Sequence, residues 1–121
     1  MSIRGSPGQG GPLLEQLGRV LDRGGDADEV LRSVVGLLAE EPTVRWSGIL
    51  FLEEGQLVLG PAAGEPDESR RIRTLIAYRG EPVGELAVDG DVDPALLADV
   101  ARLISAHVLL GWDTGGELWE P

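Results

Sequence analysis

The apolar residues of this chain recur first with the spacing of helices and then with the spacing of strands. Pro12 opens a helical pattern that a glycine pair at 24–25 ends, because proline suits the first turn of a helix and paired glycines interrupt it. A second helical pattern covers about residues 27–41, and Asp26 and Glu29 have the spacing of a capping box at its start. The apolar positions are Leu13, Leu14, Leu17, Val20 and Leu21 in the first helix, and Val30, Leu31, Val34, Val35 and Leu38 in the second.

Four short strands are predicted after the second helix. From Val44 the chain is apolar at both odd and even positions, as expected for a strand inside a sheet that is covered on both faces. Turn residues at 53–56 then return the chain as the hairpin partner of this strand. A second hairpin follows a polar link of seven residues, 65–71. The last three strands cover about 57–59, 72–78 and 83–88.

A helix closes the pattern. Asp93 and Pro94 form a strong start signal, because a carboxylate at the N-cap accepts backbone N–H bonds while proline takes the first helical position. The helix is predicted to run to about Leu110 and to end at Gly111. Two helices, two hairpins and a helix predict the α+β class, a minimal antiparallel sheet of about four strands with the N- and C-terminal helices packed on one face.

The two ends of the chain are predicted to lie outside this domain, which covers residues 12–111. Residues 1–11 combine Gly, Ser, Pro and Gln with few apolar side chains, so we expect a flexible tail. Residues 112–121 form a C-terminal tail that holds two of the three tryptophans.

Composition excludes several classes of function. The chain has no cysteine, which removes disulfides, thiolate metal sites and thiol nucleophiles. Its formal net charge is −11, and a chain this acidic repels phosphate backbones, so nucleic-acid binding is not expected. No apolar run is long enough for a membrane span and the first residues lack a signal peptide, so we expect a cytoplasmic protein. All ten cations are arginine, which suggests a GC-rich bacterial coding sequence.

Two motifs at these positions resemble the GAF domain family. The run WSGILF followed by LVLGPAAG is similar to the hairpin of the free methionine-R-sulfoxide reductase branch, whose members carry Trp-x-Gly-Phe-Tyr and then Leu-x-Leu-Gly-Pro-x-x-Gly. The run VGELAVD at 83–89, leading through a short loop to the last helix, resembles the corresponding part of GAF domains. The resemblance covers about residues 13–110 and implies the GAF fold.

The chain departs from that branch where the branch carries its chemistry. Its members have a long segment between the second and third strands that closes over the substrate and holds the redox cysteines, whereas this chain has seven residues there and no cysteine. Three acids of the branch correspond here to Thr74, Ala87 and Asp89, so one carboxylate remains. Because sulfoxide reduction by this route needs one thiolate to attack and another to resolve, we expect a protein that is not an enzyme and has no cofactor or metal.

Without a covering segment, the sheet face away from the helices is expected to be open to a ligand or partner. Candidate covers are the C-terminal tail through Trp112, Leu118 and Trp119, a second copy, another protein or a small molecule. Asp89 has a second interpretation as a turn residue that bonds local backbone N–H groups. The residues predicted on this face, partly by carrying the family's strand alternation across, are Trp46, Leu50, Thr74, Ile76, Tyr78, Val83, Glu85, Ala87 and Asp89.

The last helix carries a stripe that resembles a dimer seam. The first and last helices of GAF domains commonly form a bundle across a two-fold axis, which implies a homodimer here. The predicted seam consists of Leu96, Val100, Leu103 and His107. The alternative is that the stripe packs on the domain's own sheet, with His107 as a hydrogen-bonded core or interface residue rather than a ligand.

Arginines 70, 71 and 73 also cluster on the link and the strand that follows it. They could clamp an anion, or they could offset the nearby acidic residues at the surface. Taken together, the sequence predicts a non-catalytic GAF-like regulatory or scaffolding domain of a signalling type, acting through homodimerisation or partner binding. A small-molecule-sensing GAF domain is the alternative.

Overall fold

The computed structural model describes the backbone of residues 10–118 and the side chains of residues 12–109. The predicted order of two helices, two hairpins and a helix is confirmed, and a single 3₁₀ turn at Glu68–Arg70 lies in the link between the hairpins. The elements are α1 Gly10–Arg23, α2 Ala27–Ala39, β1 Val44–Glu53, β2 Gln56–Gly64, β3 Arg71–Tyr78, β4 Glu81–Gly90 and α3 Pro94–Leu118.

The four strands form one antiparallel sheet in the order β2-β1-β4-β3. Each hairpin turns through two residues that both have positive φ, Glu54 and Gly55 in the first and Arg79 and Gly80 in the second. Turns of this type match the right-handed twist of the flanking strands, and they explain why both hairpins are tight. The hairpins join through β1 and β4, so β2 and β3 are the two edges of the sheet.

The core is aliphatic and lies between the helices and one face of the sheet. Fully buried side chains from β1, β4 and α3 meet those of the first two helices there, among them Ile49, Leu86 and Leu97. Ser47 adds a polar link, because its buried hydroxyl donates to the Val35 carbonyl oxygen of α2 at 3.1 Å. The α+β architecture with helices on one face is therefore the observed one.

The starts of α2 and α3 differ from each other. At α3 the prediction is confirmed, since the Ala95 N–H donates to Oδ1 of Asp93 at 2.9 Å. At α2 the capping box is wrong: Asp26 occupies the N-cap position, but its side chain makes no capping hydrogen bond. The Asp26 backbone carbonyl instead accepts from the Val30 N–H at 3.0 Å, which is the ordinary helical bond.

Helix α3 is longer than predicted. It passes through Gly111 and continues to Leu118, because a glycine costs about 1 kcal/mol in a helix interior and does not by itself end one. Residues 112–118 therefore extend α3 and do not return over the sheet as a separate segment, while Trp119 lies outside the described residues. Within the part of the chain that the structure describes, no helix is long and apolar enough to cross a membrane.

Candidate functional site

Strand pairing defines three rows of side-chain positions across the sheet face that points away from the helices, which we call the open face. Directly opposed residues of antiparallel strands share a face, so the rows follow from the register. The first row is Gly64, Trp46, Asp89 and Arg71; the second is Ala62, Gly48, Ala87 and Arg73; the third is Leu59, Leu50, Glu85 and Leu75.

The prediction for Thr74, Ile76 and Val83 is wrong. Thr74 lies opposite Leu86, and Ile76 is fully buried in the core, so both belong to the helix-covered face. Val83 also packs against the core, next to an irregularity in the β3–β4 pairing. Tyr78 lies beyond that irregularity, outside the three rows. A register shift of one residue moves every side chain of a strand to the other face. Arg71, Arg73 and Leu75 therefore occupy the open-face positions that were predicted for their neighbours on β3.

Trp46 lies flat against the sheet because its neighbour in the second row is a glycine. A Cβ atom at Gly48 would stand 2.5 Å from Cη2 of the indole, closer than any side chain tolerates. The other side of the indole is covered by Arg71, whose guanidinium carbon is 4.5 Å from the ring centroid. This distance is that of a cation–π stack. Trp46 is consequently buried although the face around it is open.

Asp89 is fully buried and is bonded by groups from two other positions. Nε and Nη2 of Arg71 donate to its two carboxylate oxygens at 2.7 and 2.9 Å, which is a bidentate pair. The Asp67 backbone N–H donates to Oδ2 of Asp89 at 2.6 Å. Asp89 is thus neither a residue of a local turn nor a free carboxylate on the open face.

The ion pair sets the charge state of both groups. The Arg71 hydrogen bonds hold the pKa of Asp89 below its usual range, with the Asp67 N–H assisting and burial opposing the shift. The hydrogen bond to Asp89 raises the pKa of Arg71. Asp89 therefore stays ionised at neutral pH, and a carboxylate in this state is a poor proton donor.

The short link between the hairpins closes over this end of the sheet. Its start is fixed by the Glu65 N–H, which donates to the Arg45 carbonyl oxygen at 2.8 Å. Farther along, Asp67 lies 3.6 Å from Nε of Arg45, and Glu68 lies 3.7 Å from Nη1 of Arg71. Within the arginine cluster, Glu68 is thus a secondary partner of Arg71, whose main partner is the buried Asp89, and Arg73 contacts Glu85.

A shallow groove of about 260 Å³ remains beside the Trp46 end of the open face. Its apolar walls come from Trp46, Leu50 and Leu59, and Ala87 lies on its floor. Arg73 stands at its rim, exposed, with one 3.4 Å contact to Glu85. Leu59 and Leu75 are also exposed, so the third row forms an apolar strip that Glu85 interrupts.

The predicted dimer seam is only partly at the surface. Leu96 and Val100 are buried in the domain's own core, so for these two residues the alternative interpretation is correct. Leu103 is exposed and, with Leu14, lines a depression of about 430 Å³. His107 is half-buried, and its Nδ1 is buried without a hydrogen-bond partner among the described residues.

The fold matches solved structures of both sensor domains and reductases. A putative GAF sensor protein from Burkholderia vietnamiensis gives a TM-score of 0.71 at 16% identity, with 83% of this chain and 93% of that chain covered. The free methionine-R-sulfoxide reductase from Neisseria meningitidis, solved in complex with its substrate, gives 0.68 at 12% identity, with 93% and 97% covered. The fold is GAF-like. No family model matches the sequence, and no curated protein matches it significantly.

A third GAF-like neighbour is the GAF domain from an Acinetobacter phosphoenolpyruvate-protein phosphotransferase. It gives a TM-score of 0.66 at 14% identity, with 87% of this chain and 98% of that chain covered. Identities this low establish the fold and leave the chemistry to the residues of this chain. Those residues include no cysteine anywhere in the sequence, and in the described part they form no group of three or more His, Asp or Glu that could hold a metal ion.

Sequence reasoning placed Trp46, Leu50, Glu85 and Asp89 on the open face, and the structure brings them together there. It named Arg71 only as a member of the arginine cluster and did not place it on the open face, where it contacts both Trp46 and Asp89. The available signal was the start of β3, where the charged Arg71 and Arg73 alternate with Ile72 and Thr74, so that both charged side chains share one face. That pattern favours the observed register over the one carried across from the reductase branch.

Proposed function

We propose that this chain is a non-catalytic GAF-like regulatory or scaffolding domain that acts by contacting another protein molecule, either a second copy or a partner. The observation that carries this proposal is that Arg71 fills the Trp46–Asp89 end of the open face. The one carboxylate retained from the reductase branch is committed to internal hydrogen bonds. The part of this face that stays exposed consists mainly of the apolar strip and Arg73. This composition suits contact with a protein better than catalysis.

The surface between α1 and α3 offers a second place for such contact, and we retain it as the proposed helix-mediated interface. Leu103 and Leu14 supply its apolar part. Beside them, Arg102 and Asp99 form an ion pair that keeps the rim polar. An apolar centre with a polar rim is the usual composition of a protein interface. We place the proposed role in the cytoplasm of a bacterium, in keeping with the acidic, cysteine-free composition.

Three measurements on the full chain test the proposal. Incubation with free methionine-R-sulfoxide and a thiol reductant should give no turnover above the rate without protein, because the chain supplies no thiolate. Light scattering after size exclusion should give a mass above one chain, or affinity capture should give a defined partner. Turnover would contradict the non-catalytic role, and a monomer with no partner would contradict the scaffolding role.

Small-molecule sensing is the second candidate, and the groove beside Trp46 favours it. Its apolar walls and the exposed Arg73 suit a small ligand with an apolar part and an anionic group. Thermal-shift screening with amino acids, nucleotides and cyclic nucleotides should give several degrees of stabilisation for a sensor. The same ligand should lose its effect on the Arg73→Ala variant, whereas a scaffold would show no stabilisation by any of them.

A further inference from the structure

The two edges of the sheet differ in charge. Strand β3 carries Arg71 and Arg73, and charged side chains on an edge discourage pairing with other strands. Strand β2, the other edge, has no charged residue over Gln56–Gly64, in a chain of which 26% of the residues are charged. Its residues Leu57, Val58 and Leu59 are consecutive and are 40%, 42% and 54% exposed. An edge strand of this composition is open to pairing with a further strand.

The register shows which backbone groups of β2 are available. Glu53 and Gln56 close a hairpin with a two-residue turn, and such a pair exchanges both of its hydrogen bonds. Hydrogen-bonded and non-bonded pairs then alternate, so Val58 bonds to Phe51 on β1. The N–H and C=O groups of Leu57 and Leu59 consequently point away from the sheet. Pro61 and the irregularity near it limit this run at its far end.

We propose that β2 is a self-association surface on which a second copy of this chain adds its own β2 in antiparallel orientation, about a two-fold axis at Val58. The sequence Leu57-Val58-Leu59 is symmetric about its centre. In this arrangement Leu57 lies opposite the partner's Leu59, and Val58 lies opposite the partner's Val58. The two Leu57–Leu59 pairs then exchange four backbone hydrogen bonds, and every opposed side chain in the run is aliphatic.

The net charge of the chain makes the β2 edge a more favourable place for two copies to meet than the rest of the surface. Each chain carries −11, so two copies repel each other over most of their surfaces. At β2 no charged residues of the strand oppose each other. A pairing of about five residues is smaller than a standard interface of roughly 1,600 Å² in total, so we expect weak, concentration-dependent association.

Three variants of the full chain test this. Val58 and Leu103 are each 42% exposed, on β2 and on α3 respectively. Val58→Lys places two lysines opposite each other at the proposed axis while lowering the net negative charge. Sedimentation velocity over a concentration series should therefore show the dissociation constant rising by about tenfold or more. Ser33→Lys, at an exposed position on α2 and with the same change of charge, is the control that should leave the dissociation constant unchanged, whereas Leu103→Lys reports on the proposed helix-mediated interface.

Amide exchange of the wild-type chain gives a second measurement that does not depend on how the variants fold. As concentration rises, the Leu57 and Leu59 amides should exchange more slowly, while the Val58 amide, already bonded to β1, should not change. A chain that stays monomeric at all concentrations would overturn the inference. So would dissociation by Leu103→Lys with no change at the Leu57 and Leu59 amides, which would place the contact on the helices and leave the proposed regulatory role intact.

Discussion

Replacing Arg71 with alanine tests the central ion pair of this GAF-like domain. Arg71 makes a bidentate pair with the fully buried Asp89 and covers the indole of Trp46 at 4.5 Å. Without it, the Asp89 carboxylate keeps the Asp67 N–H as its remaining donor among those observed. The variant therefore leaves a buried charge without its counter-ion and uncovers one side of an aromatic ring.

The size of the effect follows from these contacts. Breaking a buried ion pair from one side costs about 3–5 kcal/mol, because the other charge stays buried. Loss of the cation–π stack adds roughly 0.5–1 kcal/mol. Since the Arg71 side chain is 17% exposed, water can enter and relieve part of the penalty, so we take about 3 kcal/mol as the expected loss. For a domain of this length, that corresponds to a Tm lower by roughly 10–20 °C.

The assay is urea unfolding followed by far-ultraviolet circular dichroism, with thermal unfolding as a check. Arg73→Ala is the matched control, because Arg73 lies on the same strand and the same face but is exposed, with a single 3.4 Å contact to Glu85. It should cost less than about 1 kcal/mol. Asp89→Asn and the double variant Arg71→Ala/Asp89→Asn complete a thermodynamic cycle, in which we expect a coupling of about 2 kcal/mol.

A loss below about 1 kcal/mol for Arg71→Ala, similar to that of Arg73→Ala, would show that water rather than Arg71 satisfies the carboxylate. If the stability losses of the two single variants simply add in the double variant, the conclusion would be the same. Either result would refute the view that Arg71 fills this end of the open face, and with it the main support for the proposed non-catalytic role.

Two further predictions concern the same end of the sheet. The lowered pKa of Asp89 stabilises the fold at neutral pH, and this contribution should fall as the pH drops below about 4, the ordinary Asp range, toward the folded-state pKa. In denaturant titrations at several pH values, Asp89→Asn should remove this part of the pH dependence of the unfolding free energy. An unchanged pH dependence in the variant would contradict the prediction. Gly48→Ala should displace the indole of Trp46, shift its fluorescence to longer wavelength and cost about 1–3 kcal/mol, whereas Gly36→Ala, which has open space in α2, should be neutral or stabilising. An unshifted spectrum would show that the ring does not lie over Gly48.

The elements of this protein could be predicted because their signals are local. The i, i+3 and i+4 spacing of leucines and valines defines α1 and α2, Asp93 and Pro94 start α3, and two turns with glycine set the hairpins. These features depend on residues within one or two turns of each other. The sequence alone therefore determined the order of the elements, the class of the fold and the absence of thiol chemistry.

The candidate site depended on contacts between residues that are distant in the chain. Arg71 and Asp89 are 18 positions apart, and only the pairing of β3 with β4 shows that they face each other and that Thr74 and Ile76 face the core. In the same way, the packing of α3 on the sheet decided that Val100 is buried and Leu103 exposed. Periodicity fixes which residues of one element share a side, but the side that is buried is chosen by the free energy of packing against the other elements, and that is a property of the tertiary structure.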